Sequence, residues 1–163
     1  MTELTIATPE AMEQLGGTIG RQLRAGDLVL LNGELGAGKT TLTRGLGEVL
    51  AVRGAVTSPT FVLARTHPRV DAAPLVHVDA YRLRSAIELD DLDIDYERSI
   101  VVVEWGAGLL DGLTENWLEV DIVRPTGGTS SAPEVDGPEP RTVTLTGHGS
   151  RWQDLGWVGA ARD

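Results

Sequence analysis

The segment from Gly33 to Thr40 has the residue types and spacing of a loop that binds phosphate groups. It reads Gly33-Glu34-Leu35-Gly36-Ala37-Gly38-Lys39-Thr40 and matches the pattern G-x-x-x-x-G-K-[ST] at every fixed position. Glycine permits backbone angles that turn N–H groups inward, and it leaves space for a phosphate to approach. The segment therefore predicts a nucleoside triphosphate site, with the loop residues and the following Thr41 in contact with the nucleotide.

Lys39 is the loop residue that we expect to reach the β- and γ-phosphates. The chain has thirteen arginines and one lysine, and that lysine occupies the loop. A slim ammonium can enter between phosphate oxygens where the planar arginine fork is bulky. The Thr40 hydroxyl is a candidate Mg²⁺ ligand, and Thr41 is a candidate partner for a phosphate nearer the nucleoside. A glycine-rich turn without a ligand is the alternative, and the full match disfavours it.

Two acids, Asp79 and Glu104, end apolar segments that are predicted to be strands. Glu104 ends the run Ile100-Val101-Val102-Val103, which resembles a Walker B strand with Glu in place of the usual Asp. Parallel strands of nucleotide-binding sheets end at the edge where the ligand binds. We therefore expect both carboxylates near the Mg²⁺ or the attacking water, as catalytic groups together with Lys39. The alternative for each is a solvated acid at a strand end.

Three further residues lie near these motifs in the sequence. His77, two positions before Asp79, is expected to pack or to hydrogen-bond rather than to ligate a metal. Thr60 lies in a loop that could fold over the γ-phosphate, as ordered switch segments do. Trp105, directly after Glu104, is either a core residue or an aromatic that faces a partner beside the site.

The elements that must position these residues alternate between strands and helices. Thr8 can cap a helix that has Pro9 at its first position and ends by Gly26, and a second helix begins near Lys39. Residues 84–98 are predicted to form a short helix and a loop. The helical residues predicted to face the core are Met12, Leu15, Ile19, Leu23, Leu42, Leu46 and Val49. The predicted strands span residues 4–7, 27–32, 61–65, 75–79, 99–104, 117–123 and 141–145, the last antiparallel to the one before it.

Composition and charge limit the class of protein. The length of 163 residues predicts one domain over residues 1–163, with a mobile surface loop at 125–140, where prolines and glycines concentrate. The absence of cysteine excludes disulfides and thiolate metal sites. No apolar run is long enough to span a membrane and the first residues lack a signal-peptide pattern, so a soluble cytoplasmic protein is expected. The formal net charge of -10 disfavours nucleic-acid binding by the chain alone and favours a protein partner with a basic face.

Four motifs occur in one order along the chain: Gly33-Glu34-Leu35-Gly36-Ala37-Gly38-Lys39-Thr40-Thr41, Ser58-Pro59-Thr60-Phe61, His77-Val78-Asp79-Ala80-Tyr81-Arg82 and Val103-Glu104-Trp105. With these motifs the chain resembles, over residues 4 to 123, the TsaE family of bacterial ATPases required for threonylcarbamoyladenosine modification of tRNA. The resemblance implies a three-layer α/β fold like that of P-loop NTPases, with a mixed, mainly parallel central sheet flanked by helices. It also implies ATP and Mg²⁺ as cofactors. Hydrolysis of ATP would support a complex of TsaB and TsaD that modifies adenosine 37 of tRNA, so that the chain meets tRNA only through that complex.

The same resemblance assigns roles by position. Thr40 and Glu104 would hold Mg²⁺, and Asp79 would assist hydrolysis or the metal shell. Thr60 would belong to a switch-like loop, and Trp105 would lie beside the site. The residues implied to contact the adenosine, near the N-terminal helix and the C-terminal strands, are Thr8, Pro9 and Arg141.

Three other functions fit parts of the pattern. A small P-loop kinase that phosphorylates a metabolite would use arginines such as Arg82, Arg84 and Arg98 around its substrate. A GTPase normally needs an Asn/Thr-Lys-x-Asp segment, and the single lysine leaves no such segment. A nucleotide-dependent binding module overlaps with the TsaE interpretation, because isolated family members can turn over slowly. We expect weak ATPase activity that depends on Lys39, Glu104 and partner proteins.

Overall fold

The computed structural model describes residues 1–33, 38–52, 64–79, 94–104, 115–124 and 140–160, which form one sheet with helices packed against it. The strands are β1 (Thr2–Ile6), β2 (Leu28–Gly33), β3 (Ala64–Arg69), β4 (Ala72–Asp79), β5 (Ile100–Glu104), β6 (Trp117–Val123) and β7 (Arg141–His148). The helices are α1 (Pro9–Gly20), α2 (Lys39–Leu50) and α3 (Trp157–Ala160), with a 3₁₀ turn at Ser150–Trp152.

The seven described strands are arranged in the order β1-β7-β6-β2-β5-β4-β3. Four neighbouring strands, β6, β2, β5 and β4, run parallel, whereas β3 pairs antiparallel with β4, β7 with β6, and β1 with β7. The inner strands β2 and β5 carry unbroken apolar runs because parallel strands are covered on both faces. The prediction of an α/β fold with a mixed, mainly parallel central sheet flanked by helices is confirmed.

Helix α1 begins as its sequence predicts. Thr8 is the N-cap residue, and its Oγ1 accepts a hydrogen bond of 3.0 Å from the backbone N–H of Ala11. Pro9 occupies the first helical position, where its missing N–H costs nothing. The helix ends at Gly20 rather than Gly26, because the chain tightens there into turns that lead to β2. The residues predicted to face the core from this segment are all buried: Met12, Leu15, Ile19 and Leu23.

Helices α1 and α2 lie on the same face of the sheet and touch backbone to backbone. A Cβ atom on Gly16 would lie 1.9 Å from the carbonyl oxygen of Leu42, and one on Gly45 would lie 2.0 Å from the carbonyl oxygen of Glu13. Any other residue at either position would push the helices apart. This contact fixes the position of α2, and α2 begins with Lys39.

The buried side of α2 differs in one residue from its prediction. Leu42 and Leu46 are fully buried, but Val49 is 37% exposed and Leu50 takes its place in the core. The buried leucines of α2 are therefore spaced four residues apart. The helix ends after Leu50, where Ala51 adopts a left-handed conformation. Val49 lies instead at the margin of α1, beside Gly17.

A charged contact joins the C-terminal segment to the start of β2, and we call Asp27 and Arg151 the amino-edge clamp. Arg151 Nε and a terminal guanidinium nitrogen donate to the two carboxylate oxygens of Asp27 at 3.0 and 2.9 Å. That terminal nitrogen also donates to the carbonyl oxygen of Gln22 at 2.6 Å, and the guanidinium lies 4.3 Å from the ring centroid of Trp152. The clamp closes the end of the sheet at which β2 and β5 begin.

Several predicted boundaries shift because strand pairing extends them. β3 continues to Arg69 and β4 begins at Ala72, since the two pair as a hairpin, and β7 continues to His148 alongside β6. Residues 61–63, most of the predicted helix and loop at 84–98, and positions 125–139 of the predicted mobile loop lie outside the described residues. Within the described part of the chain, no helix has the length and apolar character needed to cross a membrane.

Candidate functional site

The parallel strands bring their carboxyl ends to one edge of the sheet. β2 ends at Gly33, β4 at Asp79 and β5 at Glu104. Glu104 lies directly opposite Asp79 on one side and Leu31 on the other. Residues paired in this way point to the same face, and Leu31 lies in the core beneath α1 and α2. Both acids therefore face the side of the sheet that carries the two long helices.

The N-terminus of α2 meets this edge. Gly38 is its N-cap residue and has φ of 118°, a left-handed conformation that favours glycine. The first helical hydrogen bond runs from Leu42 N–H to the Gly38 carbonyl at 2.9 Å. The backbone N–H groups before Leu42, in the first turn of α2, have no acceptor within the helix. They form a positively polarised surface suited to an anion. Residues 34–37 of the predicted loop lie outside the described residues.

Lys39 is buried at this helix start, with 5% of its surface exposed. Its Nζ donates a hydrogen bond of 2.7 Å to the carbonyl oxygen of Gly33, at the end of β2. Burial lowers the pKa of the Lys39 ammonium, while the charges of Glu104 and Asp79 act in the opposite direction. Lys39 is thus close enough to both carboxylates to feel their charge. We call Lys39, His77, Asp79 and Glu104 the carboxyl-edge site.

His77 makes the second polar contact of the carboxyl-edge site. Its Nε2 hydrogen-bonds Oε2 of Glu104, and the two side chains are 0% and 6% exposed. The expectation that His77 hydrogen-bonds is met, and its partner is the acid at the end of the neighbouring strand. The contact compensates for the burial of the acid and of one ring nitrogen, whereas His77 Nδ1 is buried with no hydrogen-bond partner among the described residues.

The oxygen donors at this edge suit a hard cation. Thr40 is half-buried in the first turn of α2, and Glu104 and Asp79 supply carboxylates at the ends of β5 and β4. Mg²⁺ prefers oxygen ligands and typically binds through one or two carboxylates together with water and phosphate oxygens. The donor set therefore fits the predicted metal. Thr41 follows Thr40 in the same turn of the helix, also half-buried.

The residues that the family resemblance implies for adenosine lie at the same edge. Arg141 pairs with Ile6, and Thr8 and Pro9 follow that strand at the start of α1. Because β7 runs antiparallel to β6 and β6 runs parallel to β2, Arg141 lies at the end of the sheet where β2 stops. The hydroxyl oxygen of Thr8 already caps α1. Thr60 and Trp105 lie outside the described residues.

A polar network on the opposite face of the sheet was missed by the sequence analysis. Asn32 Nδ2 donates to Asp121 Oδ1 at 2.8 Å and to Glu119 Oε2 at 3.4 Å. Glu119 Oε1 lies 2.9 Å from His148 Nε2, and the His148 ring stacks on Trp117 with centroids 4.2 Å apart. The network joins the residue before the glycine loop to β6 and β7. Polar residues alternate along β6 in the sequence, but their partners depend on a strand register that the sequence does not state.

Comparisons with known proteins agree with this geometry. The sequence model of the family described as "Threonylcarbamoyl adenosine biosynthesis protein TsaE" matches residues 6–130. A Streptomyces coelicolor protein named tRNA threonylcarbamoyladenosine biosynthesis protein TsaE is 57% identical over 145 residues, which cover 86% of this chain and 93% of the relative. A protein of the same name from Mycobacterium tuberculosis strain H37Rv is 50% identical over 130 residues, covering 74% and 77%.

A solved structure extends the comparison to the whole fold. The crystal structure of Bacillus subtilis YdiB superposes with a TM-score of 0.71 at 25% sequence identity, covering 99% of this chain and 93% of that one. The sequence match and the superposition include the strands and the helix that form the carboxyl-edge site. The chain therefore belongs to the TsaE family of tRNA threonylcarbamoyladenosine biosynthesis proteins.

Proposed function

We propose that this chain is a Mg²⁺-dependent ATPase that supports proteins resembling TsaB and TsaD during threonylcarbamoyladenosine modification of adenosine 37 in tRNA. The observation that carries the proposal is that Lys39, at the start of α2, lies at the edge of the sheet where β4 and β5 end in Asp79 and Glu104. Phosphoryl transfer needs a cation that binds the phosphates, acids that hold a metal or a water, and a helix N-terminus that binds an anion. Here one edge of the sheet supplies all three.

Phosphate binding would use the backbone and Lys39. The polarised N–H groups of the first turn of α2 favour a negative charge at this end of the helix. Gly33 to Thr41 would surround the phosphates, and Lys39 would leave the carbonyl oxygen of Gly33 for the β- and γ-phosphate oxygens. Thr8, Pro9 and Arg141, at the same edge of the sheet, would contact the adenosine.

The metal would be held by Thr40 and Glu104. When bound, Mg²⁺ neutralises the charge that develops on the phosphate oxygens. Asp79, paired with Glu104 at the end of β4, would orient the attacking water, accept its proton or support the metal shell. In hydrolysis the water oxygen bonds to the γ-phosphorus, the bond to the β–γ bridging oxygen breaks, and the proton of the water passes to a base or to solvent.

The need for partners follows from the role of the family in tRNA modification and from the charge of the chain. A formal net charge of -10 is poorly suited to holding the tRNA backbone directly, so protein partners would provide the contact with tRNA. Hydrolysis by the isolated chain would be slow. Thr60 and Trp105 are proposed to lie in a switch-like or partner-facing region.

The test is phosphate release from the wild type and from Glu104→Ala, each with and without TsaB and TsaD. The wild type should release phosphate faster with the partners present, and Glu104→Ala should lose about 100-fold of that rate. Glu119→Ala, which removes a strand carboxylate on the opposite face, is the matched control and should keep most of the activity. Equal rates from the wild type and Glu104→Ala in all four samples would defeat the proposal. Formation of ADP without free phosphate, dependent on a small-molecule substrate, would favour a kinase instead.

A further inference from the structure

His77 reaches Glu104 diagonally across two strands. Its direct neighbour on β5 is Val102, and Glu104 lies two residues further toward the carboxyl edge. Diagonal neighbours in a sheet come within reach of long or aromatic side chains that lean along the strand. The imidazole therefore points along the sheet toward the acid at its end.

The core around this pair is apolar. Leu75, two residues before His77 on β4, and Val102, opposite it on β5, share its face of the sheet and are fully buried in the core. A polar pair in such a place is seldom the most stable choice, because well-packed apolar side chains of similar volume often serve as well or better. Stability alone therefore gives a weak reason for a histidine at this position.

The contact restrains the carboxylate in a defined way. His77 bonds Oε2 of Glu104, and no hydrogen bond from the described residues reaches Oε1, whose lone pairs would be available to a cation. Lys39 adds a positive charge on the same side of the sheet. A carboxylate held at one oxygen has its side-chain torsions fixed before a ligand arrives, which lowers the entropy lost when the ligand binds.

We propose that His77 is a positioning residue that holds Glu104 in the orientation needed to bind the divalent cation of a nucleotide complex. The inference rests on the proposed function, because the cation is the one that accompanies ATP there. His77 itself touches neither metal nor nucleotide. Hydrogen bonds from a neighbouring group to a metal-ligating carboxylate set its direction and its strength as a ligand.

The experiment compares His77→Gln, which keeps an N–H donor, with His77→Phe, which keeps a ring but loses the donor. His67→Phe is the matched control, because His67 is a buried histidine opposite Leu75 on the adjacent strand, away from the carboxyl edge. Two constants are measured for each protein. They are the Kd of Mg²⁺ in the presence of a saturating non-hydrolysable ATP analogue and the Kd of that analogue in EDTA.

The positioning role predicts that the affinity for Mg²⁺ falls while the affinity for the nucleotide analogue is unchanged. His77→Phe should raise the Kd of Mg²⁺ by about tenfold or more, while His77→Gln and His67→Phe stay near the wild type. The analogue should bind equally well to all four proteins in EDTA. A Mg²⁺ affinity that is unchanged in His77→Phe, or lowered to the same degree in His67→Phe, would overturn the inference and leave His77 as a core residue.

A measurement without nucleotide separates this inference from the proposed function. A proton–nitrogen-15 correlation NMR spectrum of the isolated chain should show a slowly exchanging Nε2–H signal of His77. That signal should disappear in Glu104→Ala. If the wild type bound no Mg²⁺–nucleotide, the proposed function would fail, and this spectrum would still decide whether His77 holds Glu104. A spectrum without that proton would overturn the positioning contact, even if the nucleotide bound.

Discussion

Two buried acids, Asp27 and Glu104, lie at opposite ends of the paired strands β2 and β5, and their surroundings differ. Asp27 accepts hydrogen bonds from the backbone N–H of Arg24 at 2.8 Å and from two guanidinium nitrogens of Arg151. Among the described residues, the side chain that hydrogen-bonds Glu104 is His77, at Oε2. Both acids are almost fully buried, with 6% and 4% of their surface exposed.

The number of hydrogen-bond donors distinguishes Asp27, which supports the fold, from Glu104, which is proposed to bind a metal. The bidentate contact in the amino-edge clamp uses both oxygens of Asp27 and compensates for its burial. Glu104 is held at one oxygen and feels the nearby ammonium of Lys39, an arrangement that keeps coordination capacity for a metal. The comparison predicts that changes at the clamp lower stability, whereas changes at the carboxyl-edge site lower function.

The largest effect is expected from Lys39→Met, which keeps an unbranched stem and removes the ammonium. ATP turnover should fall by about 100-fold or more, because the charge beside the β- and γ-phosphates is lost. The unfolding free energy should change little, since desolvation already penalises the buried ammonium. Phosphate release and denaturant unfolding of the same sample measure both quantities. Loss of the folded state with Lys39→Met would show that the lysine supports the fold, and the contrast with Asp27 would then fail.

The next largest effect is expected from Arg151→Met, at the amino-edge clamp. The unfolding free energy should fall by about 3 kcal/mol, because Asp27 stays buried without its charged partner. Arg98→Met is the matched control, since Arg98 is 87% exposed and its ion pair with Asp95 should matter little.

The same variant also tests whether the two ends of the sheet are independent. The nucleotide Kd of the folded Arg151→Met protein should equal that of the wild type. A Kd raised to the level of Lys39→Met would mean that the clamp shapes the nucleotide site. A double-mutant cycle of Asp27→Asn and Arg151→Met should show a coupling in unfolding free energy of about 1 to 3 kcal/mol, as expected for residues in direct contact.

Gly45→Ala should lower stability and nucleotide affinity together. The new Cβ would meet the Glu13 carbonyl oxygen at 2.0 Å, and overpacking of this kind costs about 2 kcal/mol. Since α2 carries Lys39 and Thr40, a displaced helix should also raise the nucleotide Kd. Gly17→Ala is the control, because its Cβ would meet a methyl group of Val49, which can move, at 3.0 Å. An unfolding free energy of Gly45→Ala equal to that of Gly17→Ala would show that the helices are not locked together.

The smallest effect is expected from Thr8→Ala, at the start of α1. Loss of the capping hydroxyl should lower the unfolding free energy by about 1 kcal/mol. Thr8→Ser keeps the hydroxyl and should keep the stability. Because Thr8 lies at the carboxyl edge but caps a helix, the loss of nucleotide affinity should be smaller than for Lys39→Met. A loss as large as that of Lys39→Met would show that the Thr8 hydroxyl contributes as much to nucleotide binding as the lysine does, and that capping is not its main role.

Local patterns predicted the parts of the fold that depend on neighbouring residues. The apolar runs before Gly33 and Glu104 identified β2 and β5. Because parallel strands end at the same edge of a sheet, Asp79 was also predicted to lie at that edge. The cap at Thr8 was predictable because it joins residues only three positions apart.

Contacts between distant residues could not be predicted in the same way. Arg151 pairs with Asp27 across 124 positions, and β1 joins the sheet beside β7 at the far end of the chain. The close approach of Gly16 to α2 depends on how two helices cross, which their spacing patterns do not specify. At the site, the diagonal contact of His77 with Glu104 required the strand register.

The hydrogen bond from Lys39 to Gly33 bears on how quickly and how tightly a nucleotide can bind. In most charged surfaces an ammonium must first shed its water before it can meet a phosphate. In this structure the loss of water has already occurred during folding, and the ammonium rests on a carbonyl oxygen 2.7 Å away. If a triphosphate binds as proposed, the ammonium would exchange a carbonyl acceptor for a stronger, charged one, with little solvent to rearrange. The enthalpy of binding should accordingly reflect the difference between two hydrogen bonds rather than the dehydration of a lysine.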